Sequence, residues 1–204
     1  AVNLRSAGAY AILAASAITA TGPNCKVVGN IGTSPAGGIT GFDVDSNLFG
    51  VQDLNNAASL AAKADVLTAY YEAKAKVPTQ PALTGKDLGG MTLVPGVYSY
   101  AVAGAMAPNS VLTLDAGGDP NAQWVIQTGS TMIFNTGATV VFKDGVGNPE
   151  NVIWQVGSAS TISADVTVIG TIIAYSTITT LAGVKVYGRL YAYVAAVTII
   201  STQV

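Results

Sequence analysis

The sequence contains no histidine and only one cysteine, Cys25, among its 204 residues. Without histidine, the chain lacks the side chain that most often serves as a general base and as a metal ligand. A lone cysteine cannot form an internal disulfide, and it has no histidine to activate it as a nucleophile. We therefore interpret Cys25 as a buried or partly buried thiol, and we predict a protein without a metal or a cofactor.

Charged side chains are also scarce. They make up 10% of the chain, with 9 basic and 11 acidic residues, whereas a typical soluble domain is about 25% charged. No cluster of Lys and Arg is present that could neutralise a phosphate backbone or an anionic membrane, so neither is expected as a partner. No apolar run reaches the roughly 20 residues that cross a bilayer.

The acidic residues do not form the carboxylate pair that a polysaccharide-cleaving β-solenoid enzyme would need. Asp115 and Asp119 lie in the segment DAGGDPN, and Asp144 and Glu150 lie in the turn-rich segment KDGVGNPE. None of them recurs from one repeat to the next, and Asp119 before a proline is typical of a turn. We predict that the protein is not an enzyme.

One segment, from about residue 51 to 76, is rich in Ala, Leu, Lys and Glu and contains neither Gly nor Pro. Small and apolar residues recur there every three or four positions, which predicts an amphipathic helix. Val77-Pro78 would end it. The stripe expected to pack against the rest of the chain comprises Leu54, Ala57, Ala58, Ala61, Ala64 and Thr68.

From about residue 90 onwards, Val, Ile, Thr and Tyr dominate, as in β-strands. A weak repeat aligns Gln127, Gln155, Ala174 and Ala192, at steps of 28, 19 and 18 residues. A step near 18 accommodates three short strands and their corners, which is one turn of a triangular β-solenoid with turns about 4.8 Å apart. A β-sandwich is the alternative, but it gives no reason for this spacing. We predict a mostly-β, triangular β-helix with one long α-helix along its side, forming a single domain over residues 1–204.

The second strand of each predicted turn alternates apolar residues with Thr and Ser, so that the polar set faces outwards. Stacked turns would bring this set together on one flat, uncharged side, where hydroxyl groups could join an ordered water network. Exposed Thr on a β-strand also needs no function, and Ile133, Ala159, Ala196 and Ile200 interrupt the pattern. The predicted site residues are Thr19, Thr21, Thr131, Asn135, Thr161, Ser163, Thr177, Thr179 and Thr198.

The order and spacing of several segments resemble one family over nearly the whole chain. They include NLRSAGAYAILAASAIT near the start, GNIGTSP and ITGF after it, and DVLTAYYEAKAK in the predicted helix. DLGGMTLVPGVYSY, LTLDAGGDPNAQWVIQTGST, NVIWQVGSASTI, GTIIAYSTITTLAGVKVYGRLYA and AVTIISTQV follow. In this order, the segments are similar to those of the microbial ice-binding (antifreeze) proteins with a discontinuous β-solenoid.

The resemblance implies a right-handed β-helix whose N-terminal turn packs next to its C-terminal turns. Thr19 and Thr21 would then lie in the same files, that is, the same rows of outward-facing side chains across the stacked turns, as Thr198 and Thr177. It also implies that one flat face adsorbs to ice, giving thermal hysteresis and inhibition of ice recrystallisation.

A structural or adhesive β-solenoid module, which binds a surface or a polysaccharide, is the alternative function. Tyr187, Tyr191 and Tyr193 would suit sugar stacking, although we interpret them as packing on the solenoid surface. We expect a monomer whose partner is the ice crystal surface. The chain begins at Ala1 without an initiator methionine, which is compatible with signal-peptide removal, so we expect a secreted protein.

Overall fold

The computed structural model describes residues 1–43 and 47–204 and consists of short strands wound into a solenoid with one long helix. The strands, in chain order, are β1 Tyr10–Ala14, β2 Ala17–Thr21, β3 Val27–Val28, β4 Asn30–Thr33, β5 Gly38–Thr40, β6 Leu48–Phe49, β7 Gln52–Leu54, β8 Thr92–Leu93, β9 Gly96–Tyr100, β10 Gly104–Met106, β11 Val111–Leu114, β12 Trp124–Thr128, β13 Met132–Phe134, β14 Thr139–Phe142, β15 Val152–Val156, β16 Ser160–Ile162, β17 Thr167–Ala174, β18 Ile178–Thr180, β19 Lys185–Ala192 and β20 Val197–Ile200. The helix α1 spans Ala57–Lys74, and 3-10 turns lie at Arg5–Ala9, Lys143–Gly145 and Pro149–Asn151.

The strands form three faces. Face A consists of β9, β12, β15, the second halves of β17 and β19, and then β1, β4 and β7. Face B consists of β10, β13, β16, β18, β20, β2 and β5 in that order. Face C consists of β8, β11, β14 and the first halves of β17 and β19. Isolated bridges through Gln203 connect this face to Lys26, which precedes the paired strands β3 and β6. The chain visits the faces in the order A, B, C, so the predicted triangular β-solenoid is confirmed.

Faces A and C are continuous where β17 and β19 turn from one to the other. Gly170 and Gly188 are register partners at this corner, with φ values of 111° and 159°. A Cβ atom on Gly188 would lie 1.9 Å from the carbonyl oxygen of Gly170. The corner therefore needs glycine because the two stacked backbones approach too closely for a side chain.

Stacking order departs from chain order at one place. Leu13 in β1 is paired with Tyr191 in β19, so the N-terminal turns stack on the last C-terminal turn. This confirms the arrangement that the family resemblance implied. The repeat alignment was wrong by one residue at a single step, because Ala174 is paired with Val156 and not with Gln155. The turn there is 18 residues long rather than 19, so it matches the turn that follows.

The solenoid interior is filled by apolar side chains, including both tryptophans. The indole N–H of Trp124 donates to the carbonyl oxygen of Leu93 at 3.0 Å, and that of Trp154 donates to Ile169 at 2.9 Å. Each buried indole N–H therefore has an acceptor. Phe134 packs edge-on against Trp154, with ring centroids 5.0 Å apart.

The predicted helix begins later than the sequence pattern indicated. Residues from 52 to 54 form strand β7, and Asn56 caps the helix by accepting a hydrogen bond from the backbone N–H of Ser59 at 3.0 Å. The predicted packing stripe was also wrong, because all six of its residues are exposed. The side that packs on face A consists of Ser59, Ala62, Lys63, Val66, Ala69, Tyr70 and Ala73.

Two polar contacts fix the helix to face A. At its C-terminal end, the Gln127 side-chain amide donates to the carbonyl oxygens of Ala73 and Lys76, each at 2.8 Å. Ala73 lies in the last turn of α1 and Lys76 follows the helix end, so neither carbonyl has the partner that a continuing helix would supply. The amide adds hydrogen bonds at this helix end. Nearer the start, the Lys63 ammonium donates to the carbonyl oxygens of Ala192 and Tyr193.

Lys63 should make the stability of the fold depend on pH. Its side chain is 4% exposed, and burial lowers its pKa from 10.5 to about 8. Between these values the unfolded chain holds a proton that the folded chain has released, so the free energy of unfolding rises with pH. Between pH 7.5 and 9.5, we expect the wild-type value to rise by about 1–2 kcal/mol relative to Lys63→Met. Urea unfolding of both proteins measures this, and a difference independent of pH would contradict it.

The alternation of inward and outward residues on face B can be tested at two neighbouring positions. Ile162 is fully buried and Thr161 is partly exposed. We expect Ile162→Ala to lower the free energy of unfolding by about 2–4 kcal/mol. Thr161→Ala should change it by less than about 0.5 kcal/mol. Equal losses in chemical denaturation would show that the two orientations are assigned incorrectly.

Candidate functional site: a threonine face

The centre of face B is a row of outward-facing residues, one from each of its seven strands. Parallel register pairs them in sequence across the sheet. Five neighbouring strands contribute threonine to this row, and the other two contribute Ile133 and Ala105. The row runs in the order Ala105, Ile133, Thr161, Thr179, Thr198, Thr19 and Thr40.

A second row lies where the strands of face B begin. Backbone hydrogen bonds from Gly104 to Thr131 and from Ser160 to Thr177 continue the ladder through these residues. Ala159 and Ala196 occupy the equivalent positions of two other turns, as their own ladder bonds show, and Ala17 and Gly38 continue the row without a hydroxyl group. The predicted residues Thr131 and Thr177 are therefore separated by an alanine in this row.

A third row lies where the strands end. Asn135 and Ser163 bond through their backbone N–H groups to Met106 and Phe134, each in the adjacent turn. Thr21 is register-paired with Ile200. The expectation that Thr21 would share a file with Thr177 was wrong, because the two residues lie on opposite margins of the face. Thr19 does lie beside Thr198, as expected.

All nine residues predicted for the site lie on face B or its margins, and none of them is buried. Sequence reasoning missed Thr40, which lies in β5 at the edge of the face. A signal for it was present, because Gly38–Thr40 reads GIT and its partner segment in β2 reads AIT. The hydroxyl of Thr40 donates to that of Thr19 at 3.5 Å.

The geometry of the sheet makes this array regular. Neighbouring strands lie about 4.8 Å apart, and outward residues along one strand recur at about 6.6 Å. The inner side is held by buried residues such as Phe134, Ile162 and Ile199. Thr180 also faces inwards, where its hydroxyl group hydrogen-bonds that of Thr202 at 2.7 Å. Face B therefore has a well-packed interior below and short, mostly β-branched side chains above.

Face B also differs from the other faces in charge and in access. None of the residues in the seven strands that the structure describes on this face is charged or titratable. Face A is covered by the helix, whose side chains pack on Val125, Ile153 and Ile173. Face C carries Lys26 and Lys185, which are both exposed. Face B is thus the open face that presents no charge.

Three of the four acidic residues considered for catalysis have structural partners. Asp115 pairs with Lys143 at 2.9 Å, and this contact lowers the pKa of Asp115. Asp119 accepts the backbone N–H of Asn121 at 2.8 Å, and Glu150 pairs with Arg189 at 2.9 Å. These contacts are those of turns and surface ion pairs.

Metal ligands and membrane spans can be assessed for residues 1–43 and 47–204. Within these ranges, His, Cys, Asp and Glu do not gather in a group of three or more that could hold a metal ion. The buried thiol of Cys25 donates to the carbonyl oxygen of Thr21 at 3.2 Å. Over the same ranges, the structure contains no helix with the length and apolar character needed to cross a membrane.

Known proteins share both the sequence pattern and the fold. The model of the Ice-binding-like family matches residues 12–204. An ice-binding protein of Nostoc sp. (strain HG1) is 35% identical over 205 residues, covering 98% of this chain and 72% of that protein. The crystal structure of an ice-binding protein from the Antarctic ascomycete Antarctomyces psychrotrophicus has a TM-score of 0.90 and 31% identity, covering 100% and 97% of the two chains.

A second solved structure has the same architecture. It is an ice-binding protein with antifreeze activity from an Arctic yeast, and it has a TM-score of 0.88 and 28% identity, covering 100% of this chain and 93% of that one. The family model spans nearly the whole chain, and the solved relatives share its fold. This chain therefore belongs to the Ice-binding-like family.

Proposed function

We propose that this protein binds ice through face B and catalyses no reaction. The observation that carries the proposal is the run of five threonines on five adjacent strands, from Thr161 to Thr40, on a face without charge. The Nostoc, Antarctomyces and Arctic yeast relatives are ice-binding proteins, which supports the same ligand for this chain.

Threonine suits a surface that must join a water lattice. Its hydroxyl group both donates and accepts hydrogen bonds, while its methyl group limits the orientations open to neighbouring water. Its χ1 rotation is restricted by β-branching, so the array loses little side-chain entropy when it binds. A charged side chain would instead orient its own hydration shell and compete with the lattice. Ile133 and Ile200 add apolar surface to the array without adding charge.

Adsorption would stop crystal growth by pinning the ice front. Between bound molecules the front bulges, and the curved ice needs a lower temperature to keep growing. Thermal hysteresis and inhibition of recrystallisation both follow from this pinning. The protein would act outside the cell as a secreted monomer, because a single face B already carries the whole binding array and extracellular ice is the accessible ligand.

Bulky substitutions in the central row should reduce the activity without unfolding the protein. Thr161→Tyr and Thr179→Tyr each place a ring above the plane of face B while leaving the buried residues of the strand unchanged. We expect each variant to lose more than about half of the freezing-point depression, since a ring raised above the plane holds the neighbouring threonines away from the ice. Nanolitre osmometry measures this at matched protein concentrations.

Thr167→Tyr is the matched control for these variants. Thr167 is a partly exposed threonine in β17 on face C, so the same substitution tests a different side of the solenoid. It should retain full activity, and all three variants should unfold at the same urea concentration as the wild type. Full activity in both face B variants, or an equal loss in the control, would overturn the assignment of the face.

A further inference from the structure

A groove runs along the corner between faces A and C, on the side of the triangular section opposite face B. It consists of three adjoining cavities of about 190, 530 and 540 Å³. Val28 and Tyr187 line both the first and the second cavity. Glu150 and Arg189 line both the second and the third. Such a continuous path suits an extended chain better than a compact small molecule.

One end of the groove carries two lysine side chains. Lys26 and Lys185 line it, and each forms an isolated bridge with Gln203. The two lysines are therefore two strand spacings apart, or roughly 10 Å. Neither makes a salt bridge with any residue in the part of the chain that the structure describes. In a chain with a formal net charge of −2, this local pair of exposed cations favours an anionic ligand.

The middle of the groove carries an exposed aromatic ring. Tyr187 is 56% exposed and follows Lys185 by two positions on β19, so both side chains project from the same side of the sheet. Tyr191, further along the same strand, is fully buried and hydrogen-bonded to Ala7 and Tyr10, so it has a packing role. Tyr187 has no such role, so its ring is available to a ligand.

The far part of the groove is polar. Arg189 donates to the carbonyl oxygen of Gly8 at 2.9 Å and to Glu150 at 2.9 Å, which fixes both side chains. Asn148 lines the same cavity and is exposed. These groups offer donors and acceptors of the kind that hold hydroxyl groups in place.

We propose that this groove binds an acidic polysaccharide, a chain of sugars bearing carboxylate groups. Lys26 and Lys185 pair with the carboxylates, Tyr187 stacks against the apolar side of a sugar ring, and the polar groups around Arg189 bind hydroxyl groups. Because the groove lies at the corner opposite face B, one molecule can hold the polymer and ice at the same time. This site would tether the protein in an extracellular polysaccharide matrix while leaving its ice face free.

Binding of alginate, a polymer of uronic acids, tests the proposal, with uncharged dextran as the neutral comparison. Affinity electrophoresis at low salt should show retardation of the wild type by alginate and not by dextran. The binding should weaken as salt is raised, since the lysines are exposed. Lys26→Glu combined with Lys185→Glu should weaken binding at least about tenfold, and Tyr187→Ala about fivefold.

Two controls separate this site from general charge and from ice binding. Lys76→Glu combined with Lys86→Glu makes the same change in net charge outside the groove and should retain alginate binding. Thr161→Tyr should retain it as well, so that failure of the ice proposal and failure of this one are distinguishable. The proposal would be overturned if alginate did not retard the protein or if dextran retarded it equally. It would also be overturned by an equal loss of binding in both lysine double variants, or by tighter binding of an acidic peptide such as polyglutamate.

Discussion

The in-register parallel ladder is the constraint on which the other features of this structure depend. Each turn repeats the position of the turn beside it, so a residue type that recurs in the sequence becomes a row on the surface. On face B, this converts isolated threonines in different turns into one array. The ladder also joins the two ends of the chain, since β2 is paired with β20. Thr19 and Thr40 therefore extend a row that the C-terminal half begins.

The three faces share one interior and differ in what covers them. Face A is apolar on both sides because the helix packs on it, and its strands therefore read as continuous hydrophobic runs. Face C is open and carries exposed lysines. Face B is open and uncharged, with alternating inward apolar and outward hydroxyl residues. This division lets a single fold present a surface that can merge with ordered water and, at the opposite corner, a charged groove.

Much of this arrangement was predictable from alternation and repeat length alone. The inward orientation of Ile162 and the outward orientation of Thr161 follow from the two-residue period of a strand. Thr40 could not be found in this way, because it lies in a three-residue strand among glycines that is too short to show the period. The helix stripe failed for another reason: alanine occupies both sides of α1, so spacing could not distinguish them. Val66 and Tyr70 are the larger side chains that identify the buried side of the helix. The burial of Lys63 could not be predicted, because a hydrophobicity pattern assigns lysine to the solvent-exposed side. Thr21 was misplaced because its row depends on the exact register with Ile200.

If face B binds ice, its uncharged threonine plane is incorporated into growing ice. Slow growth of a polycrystalline ice ball in fluorescently labelled protein measures this directly, because an ordinary solute is rejected by the advancing front. We predict that the label enters the ice at a higher concentration than a labelled, non-binding protein of similar size. A label confined to the remaining liquid, as for that reference protein, would show that face B does not bind ice.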